Sequence, residues 1–124
     1  MITRHGAMRR FIIVGIAALI ASALAPGVAR CAGGLSRIQS SYVCMVNDTA
    51  HSKEQIAVHV EGKTYYGCCE MCKERLGRDV AIRNAVDPIS GEAVDKAIAV
   101  TVATPDGKVL YFKSEATLTA FERK

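Results

Sequence analysis

The sequence predicts an α+β fold made of two tandem ββα units, each a hairpin followed by a helix. Three observations carry this expectation. Residues 55–61 and 97–103 alternate apolar and polar positions with the period of a half-buried strand, and each run meets a turn signal and a shorter return run. Each hairpin is followed by a helix-opening pattern, and the whole order recurs at a shift of 45 residues.

In the first unit, Ile56, Val58 and Val60 share one strand face while Ala57 and His59 take the other. Gly62-Lys63 supplies a turn, residues 64–67 return, and a helix is expected over residues 69–77 with Gly77 as its C-terminal cap. In the second unit, Ile98, Val100 and Val102 share a face, Pro105-Asp106-Gly107 turns the chain, and residues 108–113 return. Ser114 is the expected N-cap, with Glu115 in the first turn of a helix reaching Arg123 and with Leu118 and Phe121 on one side.

The chain ahead of these units is expected to be a leader and a linker. Arg4, Arg9 and Arg10 precede an uncharged apolar run over residues 11–25, ended by Pro26-Gly27, which is the layout of a secretory signal peptide over residues 1–29. Gly27 and Ala29 favour cleavage after Ala29, with Cys31 and Ala32 as alternative points. Lipidation at Cys31 is the rival, but Arg30 stands where a lipoprotein signal wants a small residue, and the run is short for a membrane anchor. Residues 30–41 read as a flexible linker, residues 42–84 as the first unit and 85–124 as the second.

Loss of the leader removes three arginines and no acid, so the formal +4 falls to near neutrality. Nucleic acid is therefore not an expected partner, since it would want a clustered basic face. There is no paired-carboxylate constellation, serine nucleophile motif or glycine-rich phosphate loop, so the chain is expected not to be an enzyme. Asp87 and Glu92 read as turn and loop residues.

Chemistry gathers instead in Tyr65-Tyr66-Gly67-Cys68-Cys69-Glu70-Met71-Cys72-Lys73, with Cys44 upstream. Cys68 and Cys72 are four apart and Cys69 and Cys72 three apart, so either pair would share a helix face. Thiolates prefer soft ions such as Cu(I) and Zn(II), and Cys44 would supply a third bond. At a strand-to-helix junction the free helix N–H groups lower thiol pKa, so Cys68 and Cys72 are expected to be thiolates near neutral pH. Three thiolates suit trigonal Cu(I), whereas a fourth ligand would suit tetrahedral zinc. Cys69, Met71 and His59 are possible additional ligands; Met45 and His51 also stand nearby in sequence.

Overlaying the halves sets Tyr66 on Tyr111, Cys68 on Lys113 and Cys72 on Thr117. One residue of slippage sets Cys44 opposite Ser90. The candidate ligands are thus absent from the second copy.

Cys44, the hairpin, Tyr65-Tyr66-Gly67-Cys68 and Cys72 resemble the YHS and TRASH group of small metal-binding domains, whose pattern is a cysteine, a hairpin-length gap and two cysteines four apart. Asp87-Pro88-Ile89-Ser90-Gly91 with Tyr111-Phe112-Lys113-Ser114-Glu115 resembles a YHS repeat without its cysteines. The resemblance implies a treble-clef- or zinc-ribbon-like thiolate site with Cys44, Cys68 and Cys72 as ligands, and a role in heavy-metal handling, above all of copper. Cys69 departs from the family, which often has serine there, as does the absence of a proline after Cys44.

The expected function is an exported protein that sequesters or delivers Cu(I) in the periplasm or envelope, with a metal transporter or metallochaperone as partner. Membrane contact would be limited to the signal peptide or lipidation at Cys31. Two other classes leave much the same signature: a zinc-stabilised interaction module, and a dithiol oxidoreductase using Cys69-Glu70-Met71-Cys72. The second lacks a visible βαβ scaffold. Lys73 excludes a haem attachment motif, and a disulfide framework would leave one of five cysteines unpaired.

Overall fold

The computed structural model describes residues 34–124, so the expected signal peptide and Cys31 lie outside the described residues. Among the described residues the chain is α+β, with small antiparallel sheets and two helices. The first unit comprises β4 (Ile56–Val60), β5 (Lys63–Gly67) and α1 (Glu70–Arg78), and the second β8 (Val100–Ala103), β9 (Val109–Phe112) and α2 (Glu115–Glu122). Each is preceded by a smaller hairpin: β2 (Val43–Cys44) with β3 (Thr49–Ala50), and β6 (Asn84–Val86) with β7 (Ala93–Asp95).

In β4 and β5, Ile56 pairs with Gly67 and Val60 with Lys63. The connecting turn is Glu61-Gly62 rather than Gly62-Lys63, and both residues have positive φ (51° and 77°), the geometry that suits a two-residue hairpin to strand twist. Val58 is buried while Ala57 and His59 face outward, as alternation requires. β8 behaves differently. Thr101, Val102 and Ala103 are all buried, and Ile98, expected on its inner face, stands exposed in the preceding turn. A strand covered on both faces loses its alternation.

The segment expected to be a linker contributes a strand. β1 (Ser36–Arg37) pairs with Val102 and Ala103 as the third strand beside β8 and β9, and the Arg37 guanidinium meets the Glu115 carboxylate at the start of α2. α2 begins as expected: Ser114 and Thr117 close a reciprocal capping box. α1 does not end at Gly77, which lies inside it; the chain leaves at Asp79 in extended conformation.

The principal core is shared by both units. Val43, Met45, Val58, Tyr65 and Leu76 pack with Val109 and Tyr111. A smaller cluster joins Val102, Phe112 and Leu118, with Phe112 edge-on to Phe121 at 5.3 Å. Polar clasps cross between the units in both directions. The Tyr65 hydroxyl donates to Asp95 at 2.9 Å, and the Tyr111 hydroxyl donates to Asp48 at 2.9 Å. Each buried phenol thus finds a carboxylate in the other unit, which satisfies its polar end while its ring fills the core. Among the described residues, no helix is long and apolar enough to cross a membrane.

Candidate metal centre

The centre is assembled from two chain reversals. Cys44 ends β2, where the chain enters the turn to β3, and the Met45 N–H donates to the Tyr66 carbonyl at 2.8 Å, fixing this turn against β5. Cys68 and Cys69 form the bend after β5, and Cys72 lies in the first turn of α1. Close approach at that bend depends on Gly67. A Cβ there would stand 2.9 Å from the Cys72 Cβ and 3.2 Å from the backbone of Cys72 and Lys73. The matching position of the second unit is the fully buried Phe112, where no thiol has to come close.

Cys44, Cys68 and Cys72 place their sulfurs within 4.8 Å of one another, and all are free thiols. Cys72 Sγ is 3.9 Å from Cys44 Sγ and 3.6 Å from Cys68 Sγ. With a metal–sulfur bond of about 2.3 Å, ligand sulfurs stand about 4.0 Å apart in a trigonal site and about 3.8 Å apart in a tetrahedral one. The trio can therefore close on one soft ion with small side-chain movements. Cys44 is fully buried, Cys72 is partly covered, and Cys68 is exposed.

The thiols differ in acidity, and not in the expected way. Burial pushes Cys44 up, but the N–H groups of Asn47, Val46 and Cys68 face its sulfur and bring it below an ordinary thiol. Burial and the neighbouring sulfurs of Cys69 and Cys68 push Cys72 up to about 12. Sharing with Cys44 raises Cys68. Cys69, rather than Cys68 or Cys72, gains from the helix start: the Cys72 N–H, then its side chain, lower it, although no capping hydrogen bond closes. The helix N–H groups serve the N-cap residue, one position before the helix, so the expectation of thiolates at Cys68 and Cys72 is corrected.

Of the possible additional ligands, Cys69 is exposed and its Sγ lies 3.5 Å from Cys72 Sγ, though it falls outside the mutual group of three. Met71 is 71% exposed on α1. His59 is exposed on β4 and shares a hydrogen bond with the Thr64 hydroxyl at 3.0 Å. His59 does not belong to the ligand group. His51 lines a recess with Lys53, Gln55, Ile56 and Cys68, and its Nε2 is buried without a hydrogen-bond partner.

Residues that the sequence reading passed over hold the site in place. Lys96, 3% exposed, donates to the Met45 carbonyl at 2.7 Å and to Asp48 Oδ1 at 2.6 Å, with its ammonium 5.2 Å from the Tyr111 ring centre. Asp48 has φ 53°, a conformation few residues other than glycine adopt without support. An ion pair between buried Lys96 of the second unit and partly exposed Asp48 of the first thus braces the turn that carries Cys44. A lone lysine in the turn after β7 gives no sequence signal of this.

The second unit shows what takes the place of the thiols. Asp87 is fully buried, and its carboxylate accepts from the Ile89 N–H at 2.7 Å, the Ser90 N–H at 3.1 Å and the Lys113 N–H at 2.7 Å. Cys44 faces the N–H groups two and three residues ahead and that of Cys68, the counterpart of Lys113. Asp87, not Ser90, therefore occupies the role of Cys44: it lies in the loop between β6 and β7, as expected, but as a buried acceptor. Burial pushes its carboxyl up, but the Lys113, Ile89 and Ser90 N–H groups outweigh that and bring it to about 2.

No family model matches the chain, and neither the curated proteins nor the solved structures contain a match to it.

Proposed function

We propose that the chain is an exported heavy-metal-binding protein that sequesters or delivers Cu(I) in the periplasm or cell envelope through Cys44, Cys68 and Cys72. The observation that carries this reading is the convergence of three sulfurs within 4.8 Å, with no carboxylate or imidazole in the group. Thiolates without hard oxygen ligands favour Cu(I). Cys44 anchors the ion from below, while exposed Cys68 leaves a side open to an incoming thiol or thioether from a transporter or metallochaperone. Ligand exchange of this kind passes the ion without a change of oxidation state.

The origin of Cys44 in one turn and of Cys68 and Cys72 at a strand-to-helix bend supports a treble-clef- or zinc-ribbon-like description, in keeping with the YHS and TRASH resemblance of the quoted residues. One distance favours other readings. Cys69 Sγ, 3.5 Å from Cys72 Sγ, offers a fourth thiolate for structural zinc or a partner for dithiol exchange.

Metal analysis of protein purified without oxygen, followed by competition with a Cu(I) chelator, separates the three. One tightly held Cu(I) per chain is the expected result. Retained zinc with indifference to copper replaces the delivery reading with the structural one. A Cys69–Cys72 disulfide that exchanges with a test disulfide, and survives Cys44→Ser, replaces it with the oxidoreductase.

A further inference from the structure

Cys72 has three sulfur neighbours: Cys69 at 3.5 Å, Cys68 at 3.6 Å and Cys44 at 3.9 Å. They lie at different depths. Cys44 is fully buried, while Cys68 and Cys69 are exposed. Cys68 and Cys72 form an inner set with Cys44, while Cys69, against Cys72 but outside that group, would form an outer set with the same pair by turning its side chain. We propose that Cys69 completes a solvent-facing exchange site, through which an ion held by Cys44, Cys68 and Cys72 enters and leaves. This rests on the metal-binding reading above and gives the fourth cysteine a task of its own.

The step is a ligand substitution. The bond from Cys69 to the ion forms as the bond from Cys44 breaks, and Cys68 and Cys72 hold on throughout. The Cys69 thiol gives its proton to solvent, and the Cys44 sulfur is left facing the N–H groups of Asn47, Val46 and Cys68. No electron moves and the ion keeps its charge. A direct hand-off to a partner would have to draw the ion away from a sulfur with no exposed surface, whereas an ion on the outer set has all of its thiols at or near the surface. Lys96, which ties down the turn bearing Cys44, keeps the inner sulfur from following the ion outward.

The test compares wild type, Cys69→Ser and Cys44→Ser as reduced full-length chains loaded with Cu(I). Equilibrium affinity comes from chelator competition, and transfer rate from stopped-flow mixing with a chromogenic Cu(I) chelator. Cys69→Ser is expected to keep one ion at an affinity within about threefold of wild type while its transfer slows about tenfold. Cys44→Ser is expected to bind at least about tenfold more weakly and to transfer faster. Transfer from Cys69→Ser at the wild-type rate overturns the proposal. So does a loss of affinity as large as that of Cys44→Ser, which would make Cys69 an ordinary ligand.

The comparison is repeated with Zn(II) and a chromogenic zinc chelator. Wild type that holds zinc and not copper refutes the copper reading alone, and the zinc rates then decide the role of Cys69. Wild type that binds neither ion overturns both.

Discussion

Lys96 Nζ donates to the carbonyl oxygen of Met45 across 2.7 Å, so that a buried cation of the second unit grips the residue that follows Cys44. The same ammonium pairs with Asp48, which also accepts from Tyr111. The cysteine-free unit is thus part of the scaffold of the thiol site. Lys96→Met removes the cation from the Met45 carbonyl and from the partly exposed Asp48 carboxylate, a change expected to cost about 2 kcal/mol in chemical denaturation. Its metal affinity should fall about tenfold, as for loss of an outer-shell partner. Wild-type affinity in this variant would show that the clasp serves the fold alone.

Gly67→Ala tests the close approach of α1. The new Cβ collides with Cys72, so the helix start must shift; a cost of about 1–3 kcal/mol is expected, together with weaker metal binding in chelator competition. Phe112→Ala, at the matching position, should cost about 3–5 kcal/mol by leaving a cavity while sparing the affinity of the folded fraction.

Among the single cysteine variants, Cys72→Ser is expected to be the most damaging to metal binding, because its sulfur lies within 3.9 Å of each of the other three. The loss should exceed the roughly 10–100-fold typical of outer-shell changes. Chelator competition across the four serine variants gives the order.

Brief alkylation of the reduced, metal-free chain near neutral pH should mark Cys69 first. It is exposed and its thiol is lowered, whereas Cys68 is raised, Cys72 is pushed up to about 12 and Cys44 is buried. Peptide mapping by mass spectrometry reads the order; earlier labelling of Cys72 would refute it.

Asp87 should make stability fall in acid. Its folded carboxyl lies near 2, below the roughly 3.9 of an unfolded aspartate, so the unfolded chain takes up the proton first. Its stabilisation is complete above the unfolded value and is lost as the pH drops from about 4 toward 2. Asp87→Asn places an amide against the Lys113 N–H, and is expected to cost about 2 kcal/mol at neutral pH and to flatten this part of the acid profile. Denaturant melts at several pH values check both.

The strands and helices were legible because their signals are local: alternation in Ile56, Val58 and Val60, and Ser114 capping a helix that opens with Glu115. Expectations failed where tertiary contacts decided. β8 lost its alternation because both of its faces are covered, and residues 36–37 became a strand because an edge was open to them. The cysteine trio was legible from residue type and spacing, which is all that a soft-metal site demands of a sequence. Its supports were not, because Lys96 and Asp87 are polar residues whose burial depends on distant partners, and Asp48 takes its role from Lys96 and Tyr111.

By its sequence alone this protein determined two hairpin–helix units and three thiols, Cys44, Cys68 and Cys72, that could hold an ion, since periodicity, caps and ligand chemistry are written in neighbouring residues. Only the tertiary structure decided that Cys44 is buried and Cys69 exposed beside Cys72, that the Cys72 N–H favours the Cys69 thiolate, and that a lysine of the second unit braces the first. Depth, acidity and bracing arise from the meeting of segments far apart in the chain, where burial and opposing charges set energies that no local pattern encodes.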